Sequence, residues 1–280
     1  MIHHTYYNLI RTVPNQYHTA HPQQLDILAI GTTKHKTYTT GKVVYTGLTR
    51  HAMAEKDAVA ALGELLALEV HYGRLTLLEQ IKHGEKNWGR VKILFPGYAD
   101  MSEAAQAKQI SNLFNRITGQ IKGWDKSKVT GLLRKTCVEN LRAADASKAE
   151  VDFHSGWNGG TQYRNYARES LQADMKAQAK AAGFVKDFRQ HHYLGRADIY
   201  VPEAWYNALL PGLKSLLHAV LDLPCGVHTT LQCIELFVQA FWQALPITTL
   251  KYGADFEKKQ LNGVKEVMET EGSMLHTQKQ

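Results

Sequence analysis

The sequence predicts an α+β protein, with a small antiparallel β-meander and a helix at the N-terminus and a predominantly helical remainder. Three observations carry this expectation. Between residues 25 and 48, β-branched and aromatic runs are cut by glycines. From Ala52 onward, apolar residues recur at helical spacing in several long stretches. Proline and glycine punctuate those stretches without any internal repeat.

The meander is read from its turns. Leu25, Ile27 and the pair Ala29 and Ile30 form a first strand closed by Gly31, and Lys34-His35-Lys36 make a polar turn before Thr37-Tyr38-Thr39-Thr40. Gly41 with Lys42 permits a second turn, and Val43, Val44 and Tyr45 form a third run ended by Gly47. Thr49 is the expected N-cap of a helix with Ala54, Ala58, Ala61, Leu62 and Leu65 on one face and Asp57 and Glu64 on the other.

Residues 22–66 resemble a double-stranded-RNA-binding domain. Gly31 with His35 looks like the family's minor-groove loop, and Thr49 to Ala58 looks like the start of its last helix, which spans phosphates. The resemblance implies a first helix from residues 5–20 and a shape-reading contact with duplex RNA through Lys34, His35, Lys36, Lys42, Arg50, His51 and Lys56. Ala52 and Glu55 stand where that family carries lysines.

Composition agrees with a binding protein. Of 280 residues, 44% are hydrophobic and 21% charged, which is globular rather than disordered, and a formal charge of +7 favours acidic partners. The excess is local: residues 67–150 hold 14 Lys or Arg against 9 Asp or Glu, whereas residues 151–280 hold 13 of each. A helix expected over 126–143 turns Val129, Leu132, Leu133 and Val138 inward and carries Lys126, Lys128, Arg134, Lys135 and Arg142. A phosphate-tracking face and a plain solvated surface both satisfy that pattern.

Asp100 and Glu103 form a capping pair for a helix with Ile110, Leu113, Ile117 and Ile121 at helical spacing. Arg90–Phe95 and Ala197–Val201 are strand candidates stopped by prolines. A boundary is expected between 145 and 161, where Ser155 to Gly160 is glycine-rich, giving units 1–72, 73–150 and 161–280. A helical stretch over 162–189 interleaves Arg164, Arg168, Lys176, Lys180, Lys186 and Arg189 with aromatics, which suits either base stacking or core packing.

Residues 203–247 are the most apolar part and are read as a buried helical hairpin interrupted at Pro224. Leu231, Ile234, Val238, Phe241 and Trp242 share one face, which would serve as core or as the interface of a homo-oligomer, with a membrane surface as the third option. Glu235 inside the run argues against a spanning helix.

Three cysteines are too few for a disulfide framework, and Met1-Ile2-His3-His4 does not begin a signal peptide, so a reducing, cytoplasmic location is expected. No phosphate loop, dinucleotide fingerprint or nucleophile elbow occurs, and Cys225-x-x-His228 with Cys233 lacks a fourth nearby ligand. No catalytic residue, metal or cofactor is assigned. The expected function is non-catalytic RNA binding. A self-assembling nucleoprotein or shell subunit and a membrane-peripheral scaffold are the alternatives, and the polar tail ending in Gln280 suits a viral polyprotein product.

Overall fold

The run Ile27-Leu28-Ala29-Ile30 is buried at every residue, so its strand must be covered on both faces. In the computed structural model, which describes residues 10–13, 27–32, 44–71, 78, 81, 108, 111–112, 114–116, 118, 129–155, 177–184, 194–219 and 225–252, that strand is the middle one of three. β2 (Ile27–Thr32) pairs antiparallel with β1 (Ile10–Val13), Ile10 opposite Ile30, and with β3 (Val44–Leu48), Leu28 opposite Leu48. The sheet is therefore small and antiparallel, and the described residues are otherwise mostly helical, which is compatible with the α+β expectation.

The expected meander is not reproduced as a unit: its first and third strands pair directly as β2 and β3, and β2 runs through Gly31 to Thr32. Ile10–Val13 is a strand, where the resemblance implied a helix over 5–20: Ile10, Thr12 and Val13 are β-branched, and Pro14 ends any helical continuation. β3 does not stop at Gly47, which is buried opposite Ala29 within the ladder. Thr37–Thr40 lies outside the described residues, as do Arg90–Phe95 and the glycine-rich turn after Ser155.

The helix after β3 also starts later than expected. A 3-10 turn spans Ala54–Lys56, and α1 (Ala58–His71) is capped by Asp57, whose Oδ1 accepts from the N–H groups of Val59 at 3.1 Å and Ala60 at 3.3 Å. Asp57 fixes the helix register. Val59, Ala60 and Leu66 face the core, while Ala58 and Ala61 are exposed, a rotation of about one residue, or roughly 100°, from the predicted face.

Downstream, α2 (Val129–Ala143) and α3 (Lys148–His154) pack Val138, Leu141 and Val151 with Ala177. Asp145 is left-handed (φ 60°), with Ala146 N–H on Leu141 O and Asp145 N–H on Arg142 O, which closes α2 in a Schellman motif. Ser147 and Glu150 form a reciprocal capping box for α3, as the Ser147 N–H donates to Glu150 Oε2 at 2.7 Å and the Glu150 N–H to Ser147 Oγ at 3.3 Å. The helix expected to reach Arg189 ends near Ala181 in a second Schellman motif around Gly183 (φ 82°). Lys180, one of the basic residues interleaved along that stretch, is buried against Glu150 at 2.8 Å.

The apolar stretch forms three helices instead of a hairpin. α4 (Glu203–Leu209) and α5 (Leu213–His218) are separated by Pro211-Gly212, with Gly212 left-handed at φ 86°. α6 (Cys225–Tyr252) is the long element, and its Val227, Leu231, Ile234, Val238, Phe241, Trp242 and Leu245 are all buried, as their spacing predicted. Lys214 clips α5 to α6 by pairing with Glu235 while lying 4.1 Å above the Tyr206 ring.

α1 and α6 cross closely. A Cβ at Gly63 would stand 2.7 Å from Phe241 Cβ and against the Phe237 carbonyl, so only glycine lets the backbones meet. One core joins Leu28, Ile30, Val59 and Leu66 to Tyr206, Leu213, Phe237 and Trp242. The N-terminal segment therefore buries its apolar face on 201–245, and the division at residue 72 does not follow the core.

Candidate nucleic-acid interface

The turn joining β3 to α1 was expected to offer Arg50, His51 and Lys56 to phosphate. Only Lys56 is exposed. Arg50 is 2% exposed: its Nε donates to Asp57 Oδ2 at 3.0 Å and its Nη1 to Gln243 Oε1. Its position as a surface phosphate ligand is corrected by that burial. The cause is Asp57, which turns back under the chain to cap α1 and draws the guanidinium inward.

Arg196 meets the same carboxylate oxygen. Its Nη2 donates to Asp57 Oδ2 at 2.8 Å and to the His51 carbonyl, and its Nη1 donates to the Ala52 carbonyl at 2.8 Å. Gln243 completes the group by donating from Nε2 to the carbonyls of Ala197 at 3.1 Å and Ile199 at 2.8 Å. Ala197–Val201, expected as a strand, instead continues from a 3-10 turn that spans Gly195–Asp198. Burial pushes the Arg50 guanidinium below its ordinary pKa; Asp57 opposes the shift and Arg196 adds to it.

His51 is half-buried beside Gly183, and its Nδ1 accepts from the Met53 N–H at 2.9 Å. Burial, followed by the charge of Lys56, lowers its pKa from the ordinary value and so favours the neutral ring.

The middle helix behaves differently. Lys135 is 70% exposed and Arg142 is exposed, while Val138 and Leu141 on the same helix are buried. Glu139 lies 3.6 Å from Lys135 but is itself 58% exposed, a pairing worth little in water. Arg134 lies on α2 directly before Lys135 in sequence. Lys108 and Arg116 are also exposed. Lys34, His35, Lys36, Lys42, Lys126 and Lys128 lie outside the described residues.

The five residues expected at an oligomer interface are core within one subunit. Leu231, Ile234 and Val238 are fully buried, Phe241 and Trp242 nearly so, with the Trp242 ring 4.9 Å from Trp205 and 5.2 Å from Phe241. The large apolar side chains exposed among the described residues are instead Met53; Ile247 and Leu250 near the end of α6, the last at 87% exposure; and Ile199 and Tyr200, where Gln243 holds the Ile199 carbonyl. Residues 226–251 form the one described helix long and apolar enough to cross a membrane, and 56% of its most apolar stretch is buried against the rest of the protein.

A cavity of about 180 Å³ lies between the start of α1 and the end of α6, lined by Ala60, Ala61, Phe241 and Leu245 with Glu55 and Glu64 among its polar residues. Among the described residues, no three His, Cys, Asp or Glu converge as metal ligands. Cys233 is packed in the core.

No protein-family model, curated protein or solved structure matches the chain.

The group that sequence reasoning missed is Asp57 with Arg196 and Gln243. One signal was present, an Asp directly ahead of the run Ala58-Val59-Ala60-Ala61-Leu62, which is the pattern of an N-cap. Its partners lie 139 and, through Arg50, 193 positions away in sequence, where no local pattern reaches.

Proposed function

We propose that the chain is a non-catalytic RNA-binding protein whose principal phosphate contacts are made by the basic middle region rather than by the turn at Arg50. The observation that carries this reading is α2: a helix seated by Val138 and Leu141 that holds Lys135 and Arg142 in solvent. A charge excess concentrated in residues 67–150 supports it, since a local row of bases tracks a backbone better than the same charge dispersed. Lys56 contributes a secondary contact. Duplex RNA is the favoured form, read by shape and with little sequence preference.

The test is the salt dependence of binding. Each lost phosphate contact lowers the slope of log affinity against log salt by roughly 0.7 to 0.9. The triple change Lys126→Ala, Lys128→Ala, Lys135→Ala is therefore expected to lower it by up to about 2.5, and Lys56→Ala by less than about 1. A slope unmoved by the triple change, in a variant still folded by circular dichroism, overturns the reading. Equal affinity for duplex DNA of the same length reduces it to charge attraction alone.

A second reading is favoured by the exposed end of α6. Ile247 and Leu250 with Ile199 and Tyr200 suit a self-assembling subunit that packages nucleic acid, and a membrane-peripheral scaffold uses the same patch. Changing Ile247 and Leu250 to Asp is expected to reduce the sedimentation coefficient if the subunit assembles there. An unchanged coefficient with lost vesicle binding assigns the patch to a membrane.

A further inference from the structure

The Arg50, Asp57 and Arg196 group is unbalanced in charge and in hydrogen bonds. Two guanidiniums face one carboxylate, and all three side chains are more than nine-tenths buried. Asp57 spends Oδ1 on the N–H groups that open α1, so a single oxygen, Oδ2, serves both arginines.

Each guanidinium presents Nε and Nη2 along one edge, a fork shaped for two acceptor oxygens. Arg50 uses Nε of that edge on Asp57, and its buried Nη2 has no hydrogen-bond partner among the described residues. Arg196 uses Nη2, and its buried Nε has none. The unused donor of each fork thus stands next to the nitrogen that holds Asp57 Oδ2. Thr49 Oγ1, one residue before Arg50, is also buried without a partner. The oriented N–H groups at the start of α1 add partial positive charge at this point.

We propose that this cluster binds a small monovalent anion, of which chloride is the common case, on Arg50 Nη2 and Arg196 Nε. The anion brings the group to two positive and two negative charges and supplies the acceptor that each fork lacks. A buried cation without a counter-charge is costly, whereas a neutral water would satisfy the donors but leave the charge uncompensated. The anion would act as a structural ligand, since the cluster ties the β3–α1 turn, the Gly195–Asp198 turn and α6 together.

The experiment follows thermal unfolding of the full chain while sodium chloride replaces sodium gluconate at fixed ionic strength. Gluconate is too bulky for the cluster and stabilises proteins nonspecifically, so general salt effects oppose the expected result. A ligand held only by the folded state raises stability with the logarithm of its concentration. The melting temperature is therefore expected to rise steadily with log chloride, and one that does not rise overturns the proposal. Gln243→Glu puts a second carboxylate against Arg50 Nη1 and is expected to abolish the dependence; a folded Gln243→Glu chain that keeps the full dependence also overturns it. The unaltered protein crystallised in sodium bromide is expected to show an anomalous peak beside Asp57 Oδ2. A crystal in which that position holds no anomalous scatterer refutes the anion, even if the Gln243 variant does not fold.

Discussion

Replacing Asp57 by Asn isolates the charge at the centre of the molecule. Asn caps a helix about as well as Asp, so Val59 and Ala60 keep an acceptor for their N–H groups, while Arg50 and Arg196 lose their shared anion. Removing one partner of a buried ion pair costs about 3 to 5 kcal/mol, a large share of the 5 to 15 kcal/mol that holds a typical domain together. Asp57→Ala loses the cap as well, for about 1 kcal/mol more. Arg50→Met is expected to cost less, about 1 to 3 kcal/mol, because it leaves Asp57 and Arg196 as a matched pair and strands only the Gln243 carbonyl. Urea denaturation followed by helical circular dichroism reads these values. With a slope near 2 kcal/mol per molar urea, Asp57→Asn lowers the midpoint by about 2 M. A midpoint moved by less than about 0.3 M, or Arg50→Met losing more than Asp57→Asn, would refute the reasoning.

Three further outcomes follow from the same packing. Gly63→Ala forces a methyl group against Phe237 and Phe241 and is expected to destabilise the chain by about 1 to 3 kcal/mol, although alanine favours helix; equal or higher stability in urea would mean that α1 and α6 do not cross there. Trp242→Ser is expected to unfold the protein rather than to release folded monomers, at a cost of roughly 3 to 5 kcal/mol, and a folded variant of smaller sedimentation coefficient would restore the interface reading. Burial alone would raise the Glu150 pKa, yet hydrogen bonds from Lys180 and Ser147 outweigh it and hold the carboxyl at about 2, below its ordinary 4.5. That depressed value contributes stability present above pH 4.5 and lost as pH falls from there toward about 2. The loss should be smaller in Glu150→Gln, and identical acid curves for the two chains would exclude this pair as its source.

What the sequence made legible was whatever depends on period alone. The buried face of α6 follows from one stripe of large side chains, and β2 from a four-residue apolar run, because burial and spacing are local properties of the chain. Details set by distant partners were hidden. The Ala-rich start of α1 offers several faces of similar hydrophobicity, so its rotation was decided by the Asp57 cap and by Gly63 meeting Phe241. Residues 10–13 carry no strong period and became a strand by pairing with β2.

The basic residues make the same distinction in chemical terms. A charge total treats Arg50, Lys180 and Lys135 alike, yet two of them end in the interior, where an arginine or lysine is tolerated only with a carboxylate and carbonyls to receive it. Arg50 has Asp57 within seven residues, and Lys180 has Glu150 and the Asp145 carbonyl on the neighbouring α2–α3 corner. Lys135 has only the exposed Glu139 on its own helix and stays in water. Each buried base thus belongs to a corner that a cap or a Schellman turn already organises, and its counter-ion is the capping carboxylate itself: Asp57 for α1, Glu150 for α3. A base left over after the caps have taken theirs is the one free to meet a phosphate. By that criterion the proposed phosphate contacts belong on α2 and not on Arg50 in the turn before α1.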